Sequence, residues 1–269
     1  METKQQLEAY LQDITAWEKE QGKVMIWDKL TSIPFKILDK VTPKFIQEKL
    51  GQLISLLMEY VQTGGNYLTS TSGTIKMIER KTGLTIESVD ELAKLPIEKM
   101  AMLSEELKKS RANFATVQGA TTGFGGMFTI AADIPLIIGN ALKTLQEIAI
   151  IHGYDPKDKK ERVFIVKCLQ FTFADTVGRE AILKELSTTH SDDMTNQNMI
   201  AQMQGWREVF TTYSEHFGMK KLMQMIPVVG IVFGAITNKS MIEDVADTGM
   251  MLYRKRRIYE RLIHLEQQE

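Results

Sequence analysis

The chain has 269 residues, with 33 basic and 34 acidic side chains, a formal net charge of -1 at pH 7 and one cysteine. That near-balance excludes the broad positive field that draws a protein to nucleic acid, and a lone Cys168 excludes an intramolecular disulfide. The size suits one compact body with a substantial core, and the opening METKQQLEAY lacks the charged-then-apolar order of a secretory signal, so a reducing cytoplasm is the expected compartment.

Apolar spacing is helical almost from the start. Leu7, Leu11, Ile14 and Trp17 form one stripe and Ile46, Leu50, Leu53, Leu57 and Val61 a second. Thr42-Pro43 supplies a cap followed by a first-turn proline, and Gly64-Gly65-Asn66 a closing turn. Residues 1–67 therefore read as an N-terminal helical hairpin or appendage, and 68–269 as the main helical domain. Ser88 and Glu91 have capping-box spacing, as do Ser240 and Glu243, so a helix is expected to begin near each. From Ile97 a helix carries Met100, Leu103 and Leu107 inward.

The next stretch, QGATTGFGGMFTIAADIPL at 118–136, concentrates glycine. A phosphate loop needs lysine and a hydroxyl residue after its last glycine, but Met127 and Phe128 stand there; the dinucleotide pattern needs a third glycine where Phe128 sits. At 100° per residue, Ala112, Ala115, Gly119, Gly123 and Gly126 instead share one helical face with almost no side-chain bulk. A second uncharged segment, LMQMIPVVGIVFGAITN at 222–238, offers Gly230 and Gly234 four residues apart. Each interior glycine costs about 0.5–1 kcal/mol relative to alanine, so the two small faces are expected to cross in close contact. The alternative is a loop at Gly123 to Gly126 between two ordinary helices.

Asp133 reads as a cap, with Pro135 in the first turn of the helix that follows. A catalytic or metal role with Glu147 is the other reading, although the two carboxylates would stand about 21 Å apart along a straight helix. Asp155-Pro156 is expected to open a helix burying Phe164, Cys168 and Phe171. The polar run HSDDMTNQN at 190–198 reads as a loop and helix start rather than a cation site. None of the four histidines has the spacing of a two-ligand zinc motif, and no nucleophile elbow is present, so no cofactor or metal is assigned. His152, before Gly153, sits where positive charge would favour a helix end. Strand-like alternation is scarce throughout, and the predicted fold is all-α.

Residues 112–132 and 222–238 carry no charge and each follows a basic cluster, a pattern similar to the flanks of membrane segments. The first holds six Asn, Gln and Thr residues, and the second extends only about 25 Å against a hydrocarbon core of about 30 Å. Buried helices or an interfacial contact are expected in place of a span. In the final run YRKRRIYERL, Arg254, Arg257 and Arg261 share a face nearly opposite the stripe Ile242, Val245, Gly249, Leu252, Tyr259 and Ile263. A basic face opposite a buried stripe is what an ordinary solvated helix shows; the alternative is a basic contact face toward anionic lipid or an acidic partner.

The order of these landmarks, SVDELAKLPIEKM, then GATTGFGGMFTIAADIPLIIGNALKTLQEIAIIHGYD, then ERVF, and IPVVGIVFGAITN before a last helix, resembles the EcsC protein family over residues 68 to 265. Here His152 precedes Gly153-Tyr154-Asp155 where an aromatic is expected in many relatives. The family takes its name from a bacterial operon that also encodes the ATPase and membrane subunits of an ABC transporter. The resemblance thus implies a bacterial accessory protein, cytoplasmic or peripherally membrane-associated, and transfers no catalytic residue. Three functions follow: a noncatalytic helical protein contacting a membrane protein or an anionic lipid surface; a small-molecule-binding protein or hydrolase with a site between helices; and a self-assembling scaffold through the N-terminal hairpin. Oligomeric state is not legible.

Overall fold

The computed structural model describes residues 2–21, 55–64, 69–123, 127–174, 176–188 and 227–268. The secondary structure among them is helical: α1 (Lys4–Gln21), α2 (55–63), α3 (Thr71–Thr82), α4 (Val89–Leu92), α5 (Ile97–Gly123), α6 (Met127–Ile151), α7 (Lys159–Phe173), α8 (Thr176–Thr188) and α9 (Pro227–Glu266). The fold is all-α, as the periodicity predicts.

The apolar stripes explain how the helices assemble. Met100, Leu103, Leu107, Ala112 and Ala115 of α5 are buried, as are Ile138, Leu142, Leu145 and Ile148 of α6. Ile242, Val245, Ala246 and Leu252 of α9 complete the centre. α9 is the axis of the bundle, packing most extensively along α5 and also on α6, α7 and α1; α3 and α4 lean on α6, and α8 on α7. Arg111 of α5 pairs with Glu147 of α6, residues that one straight helix would hold about 54 Å apart. The two helices are therefore a hairpin.

Three boundaries differ from the sequence reading. α6 begins at Met127 and runs through Asp133 and Pro135, so Asp133 is not an N-cap. A proline there removes one backbone hydrogen bond, and burial of Ile137, Ile138, Ala141 and Leu142 just beyond it holds the helix together. α9 passes through Ser240 without a start. The Ser-x-x-Glu spacing also fits a helix interior, and Lys239 and Glu243 lie 3.8 Å apart there at i,i+4. α7 begins at Lys159, three residues after Pro156, because the Asp155 carboxylate accepts from the Lys157 amide at 3.0 Å and forms a turn. α1 packs on the main core: Leu7 and Ile14 are fully buried, Trp17 lies 5.6 Å from Phe171, and Glu18 pairs with Lys255 at 2.6 Å. The predicted stripe at Ile46, Leu50 and Leu53, and the run 190–198, lie outside the described residues.

Candidate functional site

Two registers order the bundle lengthwise. Leu95, just before α5, and Lys108 within it meet Arg261 and Asp247 of α9, so α5 and α9 are antiparallel. Leu145 of α6 and His152 just after it meet Gly249 and Arg257, so α6 and α9 run parallel. One end of the three-helix centre therefore gathers the α6 C-terminus with the α9 C-terminus. The other gathers the α5 C-terminus with the α6 and α9 N-termini.

The first end is built from ion pairs and capped carbonyls. Gly153, at φ +80°, turns the chain after α6, and a Cβ on it would fall 2.6 Å from the Ala93 amide nitrogen and 2.7 Å from the Ala93 Cα. Tyr154 N donates to Ala149 O at 2.9 Å, closing the helix in the Schellman manner. Arg257 donates to His152 O from Nε and Nη2 at 3.0 and 2.7 Å, bringing a buried guanidinium to the negative end of the α6 dipole. Arg261 does the same for the carbonyls of Ala93 and Leu95 past α4, and Arg162 for those of Val61 and Gln62 at the end of α2.

His152 does not supply the positive charge expected of it. It is buried, and burial together with the charge of Arg257 lowers its pKa to about 4. Its ring is neutral near pH 7 and its Nδ1–H donates to Ile148 O at 2.8 Å. Glu161 of α7 accepts from Tyr253 Oη at 2.5 Å and from Arg256 Nη1 at 2.9 Å. Burial pushes its carboxyl up despite these two partners. The Arg256 and Arg257 guanidiniums stand 4.1 and 4.3 Å from the centre of the Tyr154 ring. Both Glu161 oxygens are thus occupied within the fold, which suits a fixed network better than proton transfer to a substrate.

The opposite end differs in composition. Residues 112–132, 134–142 and 222–238 contain no Asp, Glu, Lys or Arg, so Asp133 is the single charge on this part of the three helices. Large apolar side chains face outward here on all of them: Phe114 58 % and Val117 65 % exposed on α5, Leu136 55 % on α6 and Ile236 60 % on α9. Extending the registers puts Leu136 level with Phe114, and Ile236 level with Gly119. Among the described residues no helix is long and apolar enough to cross a membrane.

The sequence-derived candidates divide between the two ends. Arg254, Arg257 and Arg261 turn toward the chain itself: Arg254 lies over the Tyr10 ring at 4.7 Å, Arg257 is buried, and Arg261 binds Glu2 together with its two carbonyls. Tyr259 and Ile263, assigned to the buried stripe, are each 48 % exposed. The solvated basic face is therefore corrected to an inward one, because unpaired helix-end carbonyls draw the guanidiniums in. Gly119 is buried beside Ala112 and Ala115. α5 ends at Gly123, Gly126 lies outside the described residues, and Gly230 and Gly234 belong to the first turns of α9. Glu147, the proposed companion of Asp133, is taken up by Arg111. Sequence reasoning missed Glu161 with Tyr253, whose only signal was an acid in the first turn of α7.

The EcsC protein family profile matches residues 8–258. The chain is 53% identical over 268 residues to Uncharacterized protein YdbA of Bacillus subtilis (strain 168), covering 99% of this chain and 98% of that one. It is 25% identical over 214 residues to Protein EcsC of the same organism, covering 80% of each. No solved structure matches it.

Proposed function

The chain belongs to the EcsC protein family, and on that premise we propose that it is a noncatalytic bacterial accessory protein working at the cytoplasmic face of the membrane, engaging lipid or a membrane protein with the uncharged end of its bundle. The observation that carries this reading is the exposure of Phe114, Val117, Leu136 and Ile236 on stretches of three helices in which only Asp133 is charged. Soluble surfaces interleave charge, and a continuous apolar zone marks an interaction site. The basic residues near the C-terminus are spent on internal caps, so the contact is apolar in origin. Fractionation of the untagged protein tests this. It should sediment with membranes and be released by detergent more than by high salt, whereas full recovery in the soluble fraction at every ionic strength would overturn the reading.

A small-molecule site between helices is the second reading, favoured by two buried phenols near Glu161. Tyr60 and Tyr154 have hydroxyls without a hydrogen-bond partner among the described residues. Native mass spectrometry of protein purified from its host should then show a bound small mass that is lost in a Tyr60→Phe/Tyr154→Phe variant, and identical clean spectra would remove this reading.

A further inference from the structure

We propose that the uncharged end of the bundle enters one leaflet of a phospholipid bilayer, with anionic headgroups meeting the cations that bound it. The inference rests on the membrane reading above and narrows it from membrane contact in general to the lipid itself.

Depth is the first support. From Gly123 back to Arg111 on α5, from Met127 on to Lys143 on α6, and from Pro227 on to Lys239 on α9, the uncharged lengths are about 18, 24 and 18 Å at 1.5 Å per residue, interrupted only by Asp133. Half of a bilayer offers about 15 Å of hydrocarbon, or about 20–22 Å with its headgroups. Each of these lengths is of the order of one leaflet, with Asp133 the one charge within them, and no helix among the described residues is long and apolar enough to span.

Charge complementarity is the second. Moving away from that end, the first charged residue beyond the zone on each helix is a cation: Arg111, Lys143 and Lys239. Arg111 is committed to Glu147, and Lys239 has Glu243 at 3.8 Å. Lys109, Lys143 and Lys239 are exposed, and lysine can lay its alkyl stem along an apolar surface while its ammonium reaches phosphate. Two acids farther along the bundle are paired within the chain, Asp247 with Lys108 and Glu147 with Arg111.

The test uses the full chain in a Cys168→Ala background, since Cys168 is buried. An environment-sensitive fluorophore is attached in V117C, I236C and E87C variants, the last on an exposed residue between α3 and α4. Each is mixed with protein-free vesicles of phosphatidylglycerol and phosphatidylcholine, with and without brominated acyl chains. Quenching by bromine at 117 and 236 but not at 87 is expected, and binding should weaken in pure phosphatidylcholine. Unlabelled Val117→Asp should lower vesicle partitioning at least about tenfold at an unchanged melting temperature, and Asp133→Asn should raise it. Equal signals at all three labels, or equal binding to both lipid compositions, would overturn the leaflet or headgroup part respectively. Sedimentation with native membranes but no binding to protein-free vesicles would overturn lipid entry and leave the broader membrane reading standing. Failure of both would remove the two together.

Discussion

The two ends of the central helices treat polar groups in opposite ways. At the C-terminal end of α6 and α9, guanidiniums are brought inside to cap carbonyls, and a buried carboxylate is held between a phenol and an arginine. At the other end, charge is nearly missing and apolar side chains stand exposed. A basic run is therefore a poor guide to a contact surface when helix ends nearby need donors, and an uncharged run is a better guide when three helices carry it to one level. The first end ties the helices together, and the second carries the surface proposed for contact.

If the ion-paired end fixes the fold, the largest effects of substitution should fall there. Gly153→Val introduces a β-branched side chain at φ +80° against the Ala93 backbone. A loss of about 4 kcal/mol is expected in urea unfolding, and a loss under 1 kcal/mol would show that the turn can move aside. Next comes pH. The folded pKa of His152, about 4, lies below its ordinary value of 6.5. Above pH 6.5 both states are neutral there and stability is undiminished. As pH falls from 6.5 toward 4, the unfolded chain takes a proton that the folded one refuses, and about 3 kcal/mol should be lost. His152→Gln should flatten that slope, and an unchanged slope would assign it to other groups.

Smaller effects sharpen the contrast along α5 and α9. The antiparallel register, continued, brings Gly119 and Gly123 within about a turn of Gly234 and Gly230, the pairing the sequence suggests. Gly119→Leu should then cost about 2 kcal/mol by overpacking, and an unchanged thermal melt would count against that crossing. Gly249→Ala places a methyl 2.7 Å from Leu145 Cδ2, the movable end of a side chain, so chemical denaturation should register a loss of about 1 kcal/mol, reduced by alanine's helix preference. Val117→Ser, at the apolar end, should leave stability within about 0.5 kcal/mol. A clear destabilisation in the same assay would mean that this residue packs and is not free for contact.

Much of this was legible in the sequence because helical spacing repeats what burial requires. Leu7 and Ile14, Met100 and Leu103, and Cys168 and Phe171 all appear in predicted stripes and are all buried. Caps were less legible: Ser240-x-x-Glu243 and Asp133-Ile-Pro carry start signals, yet α9 and α6 run straight through them, with Met241 and Ile242 buried in the one and Ile137 and Ile138 in the other. The basic face was misread because a helical wheel cannot show that Ala93, Leu95 and His152 present carbonyls to it. Glu161 was hidden for the same reason, since its partners Tyr253 and Arg256 lie 92 and 95 residues away. The uncharged segments could be seen, but only their convergence at one end turns them into a candidate surface.

Amide hydrogen exchange of the intact protein, with and without native membranes, tests the two-ended account most directly. Added membrane should slow exchange in peptides from 112–123, 134–142 and 227–240 and leave those from 152–162 and 252–262 unchanged. Protection confined to the 252–262 region, or no change anywhere, would contradict it.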